Sequence, residues 1–127
     1  MKTIDDLKAL LPTLLKLFSK EEHNIGESYW DEDEDGWSKR HDYASNCFIY
    51  EEDGWYIEVE YECCGEFDSD SGDYWNAPYC ELRCAWGKVS EISASYYDEE
   101  TGDGIEFSED ELEEFLAPFN ELLKDIA

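Results

Sequence analysis

Asp31, Asp33 and Asp35 alternate, Gly36 follows, and Asp42 closes a twelve-residue window, DEDEDGWSKRHD. Carboxylates at positions 1, 3, 5 and 12, with a glycine at 6 for a sharp turn, are the oxygen donors a hard divalent cation such as calcium takes. A second kind of chemistry lies in WYIEVEYE, where Glu58, Glu60 and Glu62 alternate with Ile57, Val59 and Tyr61. In an extended strand alternate residues share a face, so the three carboxylates form a row at about 6.6 Å intervals. Tyr56 joins that row, and Trp37 and Trp75 lie in other acidic stretches. Aromatic anchors ringed by acids suit a basic protein surface, because Trp and Tyr dominate binding hot spots.

The 31–42 window resembles the loop of an EF-hand over those twelve residues alone, and departs from it at three points. Asp42 is shorter than the bidentate Glu of the pattern. Ser38 takes the place of a hydrophobic residue. The flanks HNIGESYW and YASNCFIY read as a poor helix and a strand, not as two helices. The resemblance implies a calcium module with Asp31, Asp33, Asp35 and Asp42 as ligands. The residues themselves read as readily as a solvated turn in a charged surface.

Charge is the dominant property of the chain. Thirty-five acids against nine bases give a net charge of −26 over 127 residues. Folded to a diameter of about 36 Å, such a chain approaches duplex DNA, which carries about 21 charges over that length. Direct binding to nucleic acid or to an anionic membrane is therefore disfavoured, and basic proteins and cations are favoured. The charge is patterned. Residues 21–42, 51–73 and 98–114 hold 29 of the 35 acids, whereas Lys2, Lys8, Lys16 and Lys20 cluster in or beside the first helix.

Catalysis finds little support. His23 and His41 are the two histidines, and neither belongs to a recognisable motif with Ser or Cys. Cys47, Cys63, Cys64, Cys80 and Cys84 include no C-x-x-C. An odd number of cysteines suits reduced thiols, and a zinc site needs four converging ligands. Neither cofactor nor disulfide is expected. The early acids Asp5 and Asp6 and the lack of a cleavage site argue against a secretory signal. No apolar run reaches the ~20 residues of a membrane span, so a cytoplasmic protein is expected.

The elements that must position these residues follow from periodicity. Ile4, Leu7, Leu11, Leu14, Leu15 and Phe18 recur at helical spacing behind Thr3, with Pro12 predicting a kink or a restart. Ser108 and Glu111 form a capping box before Leu112, Phe115, Leu116, Phe119, Leu122, Leu123 and Ile126, with a bend expected at Pro118. Between them, CFIYEEDGWYIEVEYE reads as a hairpin turning at Asp53-Gly54. YCELRCAW and VSEISASYY read as a second hairpin turning at Gly87-Lys88, and GIEF as a short strand or the lead into the last helix. The expectation is a single α+β domain over residues 1–127: an antiparallel meander of about four strands with both helices on one face and the other face wet.

The function expected is that of a non-enzymatic acidic protein engaging a basic partner, as a DNA mimic or an immunity-type inhibitor, through Glu58, Glu60, Glu62, Trp37, Tyr56 and Trp75. The alternatives are the cation module and acidity that serves only solubility.

Overall fold

The computed structural model describes residues 2–70 and 72–126. The order is α1 (Ile4–Phe18), β1 (Gly26–Asp33), β2 (Gly36–His41), β3 (Ala44–Glu52), β4 (Trp55–Asp70), β5 (Tyr79–Tyr97), β6 (Gly104–Glu106) and α2 (Glu109–Leu122). The class is α+β, with a mixed six-stranded sheet between the terminal helices. Among the described residues no helix is long and apolar enough to cross a membrane.

β4 is the spine of the sheet. Its first half pairs antiparallel with β3 from Glu52↔Trp55 to Ala44↔Cys63. The connection is the expected tight turn, with Asp53 at φ 53° and Gly54 at φ 88°, the two positive values a type I′ turn requires. Along its other edge β4 pairs antiparallel with β5. Trp55, Ile57, Val59, Tyr61 and Cys63 of β4 are buried. They meet Leu7, Leu14 and Phe18 of α1 and Leu112, Phe115 and Phe119 of α2 in one cluster. Both helices thus bury their apolar stripes against one side of the sheet, as periodicity predicts. Glu111 accepts from the Ser108 amide while Ser108 Oγ accepts from the Glu111 amide, so the capping box is formed. Pro12 and Pro118 lie inside continuous helices.

Three expectations need correction. The sheet has six strands, not about four, and it is mixed, not an antiparallel meander. β1 runs parallel to β4 through Gly26↔Cys64 and Glu27↔Gly65, sharing with β3 the same edge of the long strand. The 31–42 window is an antiparallel hairpin, β1 on β2, with Asp33 opposite Gly36.

The third correction concerns Gly87. No turn occurs there, because β5 runs unbroken for 19 residues. The glycine answers a close approach, not a reversal. A Cβ at Gly87 would lie 2.8 Å from both Cys63 Sγ and the Glu62 carbonyl oxygen, and 3.5 Å from Leu123 Cβ. The Gly87 amide donates to the Leu123 carbonyl at 2.7 Å, and the Ile126 amide to the Ala85 carbonyl at 3.0 Å. Glycine in a strand commonly marks such a contact. Gly87→Ala is therefore expected to destabilise the protein by about 1–3 kcal/mol, the range for overpacking a filled site. Urea denaturation checks this, and an unchanged midpoint would restore the turn reading.

Candidate functional site

The side of the sheet away from the helices carries the even-numbered residues of β4: Tyr56, Glu58, Glu60 and Glu62. Cross-strand pairing adds neighbours on the same side. Ile49 and Glu51 of β3 stand opposite Glu58 and Tyr56, and Glu91 of β5 stands opposite Glu60. Beyond them Glu106 of β6 pairs with Ser95. The predicted glutamate row thus exists as a row and is widened by acids from the adjacent strands.

Its electrostatics are unbalanced. Glu60 and Glu91 face each other directly, an arrangement that destabilises a sheet. Among the described residues none of the ion pairs includes Glu58, Glu60, Glu62 or Glu91. Lys88 stands opposite Glu62, yet its ammonium lies 5.4 Å over the Tyr43 ring. The register explains why Glu91 escapes a sequence reading. β5 has an extra residue where Glu60↔Glu91 gives way to Tyr61↔Val89. That residue is Ser90, whose hydroxyl donates to the Glu60 carbonyl at 3.0 Å. The shift of one position puts Glu91 on the open side, where strict alternation from Val89 would bury it.

Polar contacts within the row are few. The Cys47 thiol donates to Glu58 Oε1 at 3.3 Å and the Tyr56 hydroxyl to Glu58 Oε2 at 3.4 Å. Partial desolvation, then the hydrogen bond to Glu58, raise the Cys47 thiol above its ordinary range. It stays a protonated thiol, which is the unreactive form. The Tyr56 phenol is raised chiefly by the charge of Glu58.

The open side continues past Glu62 onto the β1–β2 ribbon. His41 Nδ1 lies 3.9 Å from the Sγ of buried Cys64, and the His41 ring meets Trp86 at 5.5 Å. Lys39 Nζ reaches Glu66 Oε1 at 3.2 Å. Residues of β2 with the parity of His41 and Lys39 therefore face the same way as the glutamates, and Trp37 is one of them. Trp30 pairs with Lys39 and shares that side. Trp37 thus shares the open side with Tyr56, Glu58, Glu60 and Glu62, but it stands two positions past Lys39, near the tip of the ribbon and beyond the level of Glu66, at the other end of the sheet from Tyr56.

Trp75 is elsewhere. It sits with Tyr74 in the β4–β5 connection, beyond the end of β4 and so more than about 45 Å along the strands from Tyr56 at ~3.3 Å per residue. The two rings meet edge to face at 4.8 Å, 89% (Tyr74) and 86% (Trp75) exposed. Asp73 Oδ1 accepts from the amides of Trp75 and Asn76 at 2.8 Å each. Those bonds, first the one from Trp75, hold the Asp73 carboxyl below its ordinary value.

The four aspartates of the calcium window do not surround a common point. Asp31 and Asp33 lie on the opposite side of the ribbon from Trp37. There Arg40 approaches Asp31 Oδ2 at 3.7 Å and Asp33 Oδ2 at 3.4 Å. Asp33 also accepts from the Ser38 hydroxyl at 2.8 Å and the Asp35 amide at 3.0 Å. The first two carboxylates therefore face a guanidinium. Asp35 stands in the turn, and Asp42 lies beyond β2, its amide donating to the Glu27 carbonyl. Among the described residues no group of three or more His, Cys, Asp or Glu is placed to hold a metal ion. Cys63 and Cys64 point to opposite sides of β4, and all five cysteines are free.

One titratable pair lies on the helix side. His23 Nδ1 and Tyr61 Oη are 2.6 Å apart, with Phe18 against both rings at 5.8 and 4.9 Å. Burial lowers the His23 pKa from its ordinary 6.5 and raises that of the Tyr61 phenol. With the imidazole neutral and its proton on Nε2, the phenol donates to Nδ1; in the other tautomer Nδ1 donates to the phenol oxygen. Because the folded state binds the His23 proton less tightly than the unfolded chain, this stability is present above pH 6.5 and is lost as pH falls toward the lower folded value. Between about pH 7.5 and 5.5 the wild-type urea midpoint should fall relative to that of His23→Gln, since neutralisation of carboxylates is common to both. Parallel pH profiles would contradict the coupling.

No family model, curated protein or solved structure matches the chain.

Proposed function

We propose that this chain is a non-enzymatic binding protein whose open sheet surface engages a basic protein partner, either as a mimic of DNA or as an immunity-type inhibitor of a basic toxin. The observation that carries the reading is the directly opposed pair Glu60 and Glu91 within a row of glutamates that, among the described residues, forms no ion pair with a lysine or arginine. Such a surface costs stability in the isolated protein, and a cationic partner removes that cost. The −26 net charge steers a basic protein toward it and speeds encounter. Tyr56 and exposed Ile49 supply apolar contact beside the charge, and Trp37 adds an exposed indole farther along the same side.

A panel of basic DNA-binding proteins and basic nuclease toxins, measured by calorimetry at low and high salt, tests the reading. At least one member should bind, with affinity falling steeply as salt rises, because exposed charges separated by more than a Debye length are screened. Absence of binding throughout, or affinity indifferent to salt, would sink it.

A further inference from the structure

The β1–β2 ribbon presents Trp30 at 62% exposure and Trp37 at 67%, whereas Trp55 in the core is 7% exposed. Trp30 lies opposite Lys39, and Trp37 opposite Glu32, so the two indoles occupy diagonal positions on one side, within mutual reach. Lys39 Nζ lies 5.3 Å from the centre of the Trp30 ring and 3.2 Å from Glu66 Oε1. An aromatic face and a carboxylate thus hold one cation between them, and that cation comes from the chain itself.

We infer that this is a docking seat for an arginine side chain of a basic protein, with Lys39 as the resident cation that the arginine displaces. The inference rests on the basic-partner reading and extends it to a second region with its own selectivity. Arginine fits better than lysine for three reasons. A guanidinium is planar and stacks on an indole, it can grip Glu66 with two parallel hydrogen bonds, and it is less strongly hydrated than an ammonium. Lys39 and Glu66 side chains are each roughly one-third exposed, and ion pairs open to water on that scale are weak. Displacement is therefore cheap. Beside them Glu32 and Trp37 repeat the combination of carboxylate and indole, and among the described residues no ion pair engages Glu32. The tryptophans confer selectivity that the glutamate row, a set of point charges, lacks.

The test titrates oligoarginine and oligolysine peptides of equal length into the protein at low salt, read by calorimetry. Wild type should bind oligoarginine about three- to tenfold more tightly than oligolysine. The double variant Trp30→Ala/Trp37→Ala should lose that preference and bind oligoarginine about tenfold more weakly. Because the double change could loosen the ribbon, Lys39→Gln provides a variant acting in the opposite direction. Freeing the seat should tighten oligoarginine binding about threefold. Lys20→Gln, which removes the same charge just beyond α1, should change it far less.

Equal affinity for the two peptides, or a Lys39→Gln effect no larger than that of Lys20→Gln, overturns the inference. If Glu58→Gln/Glu60→Gln/Glu62→Gln abolishes peptide binding while the tryptophan variant binds normally, the seat is refuted and the basic-partner reading stands. If neither peptide binds wild type, both fall.

Discussion

Replacing Glu58, Glu60 and Glu62 together by glutamine should weaken binding to a basic partner about 10- to 100-fold at low salt, on the order of 0.5–1 kcal/mol per charge. The same variant should be more stable than wild type. Glu60 and Glu91 face each other across β4 and β5, and relieving one like-charge opposition is worth up to ~1 kcal/mol, or about 2–4 °C in a domain of this size. The opposite signs of the two effects make the prediction discriminating. A surface kept acidic only for solubility has no reason to lose affinity when three of its charges are removed. A structural row has no reason to gain stability. Functional surfaces often carry groups that the fold alone would not choose. Thermal melts and calorimetry on one preparation read both quantities. An unchanged affinity together with a lowered melting temperature would assign the glutamates to the fold.

The largest loss of stability should come from Phe18→Ala. Phe18 ends α1, yet it touches every layer of the core. Its ring lies edge-on to Phe48 at 5.5 Å, to Tyr61 at 4.9 Å and to Phe119 at 5.0 Å. It is 1% exposed. Removing a buried phenylalanine costs about 3–5 kcal/mol through lost transfer energy and the cavity left behind. Edge-to-face aromatic pairs add to what area alone accounts for. The expected fall in melting temperature is about 10–20 °C. Since the whole stability of a domain is roughly 5–15 kcal/mol, partial unfolding at room temperature is within reach. A loss below about 1 kcal/mol would mean that α1 is not anchored as described. Because Phe18 lies on the side away from the glutamates, Phe18→Leu, which keeps the fold, should leave partner affinity unchanged.

Much of this architecture was legible in the residues, and the rest was hidden for identifiable reasons. The two helices could be read because each buries an apolar stripe, and the β3–β4 hairpin because Trp55, Ile57, Val59 and Tyr61 alternate strictly around a turn that needs positive φ at Asp53 and Gly54. The β1–β2 ribbon could not be read that way. β1 has hardly any buried side, so it carries no periodic signal, and its acids looked like a solvated loop. The backbone ladder from Ser28↔His41 to Asp33↔Gly36 holds the ribbon, and it becomes visible only once the register is known. Gly87 misled because a glycine before a lysine looks like a turn, whereas the tight passage of β5 beneath the end of α2 is a tertiary fact.

The candidate site divides in the same way. Glu58, Glu60, Glu62 and Tyr56 share a face by strand geometry alone. That Trp37 shares their side but stands at the tip of the ribbon, that Glu91 opposes Glu60, and that Trp75 stands far off at the end of the β4–β5 arm all depend on pairing. For Glu91 it depends on one extra residue in β5.

The central claim is that the open side of the sheet, not the helical side, receives a basic partner. Amide chemical-shift mapping tests it most directly: the isotopically labelled protein is titrated with the tightest-binding member of the basic panel. The account predicts salt-sensitive perturbations at Tyr56, Glu58, Glu60 and Glu62, spreading to Ile49 of β3, Glu91 of β5 and Trp37 of β2, with the outer surfaces of α1 and α2 unmoved. Perturbations centred on the helices, or scattered evenly over every acidic segment of the chain, would contradict it.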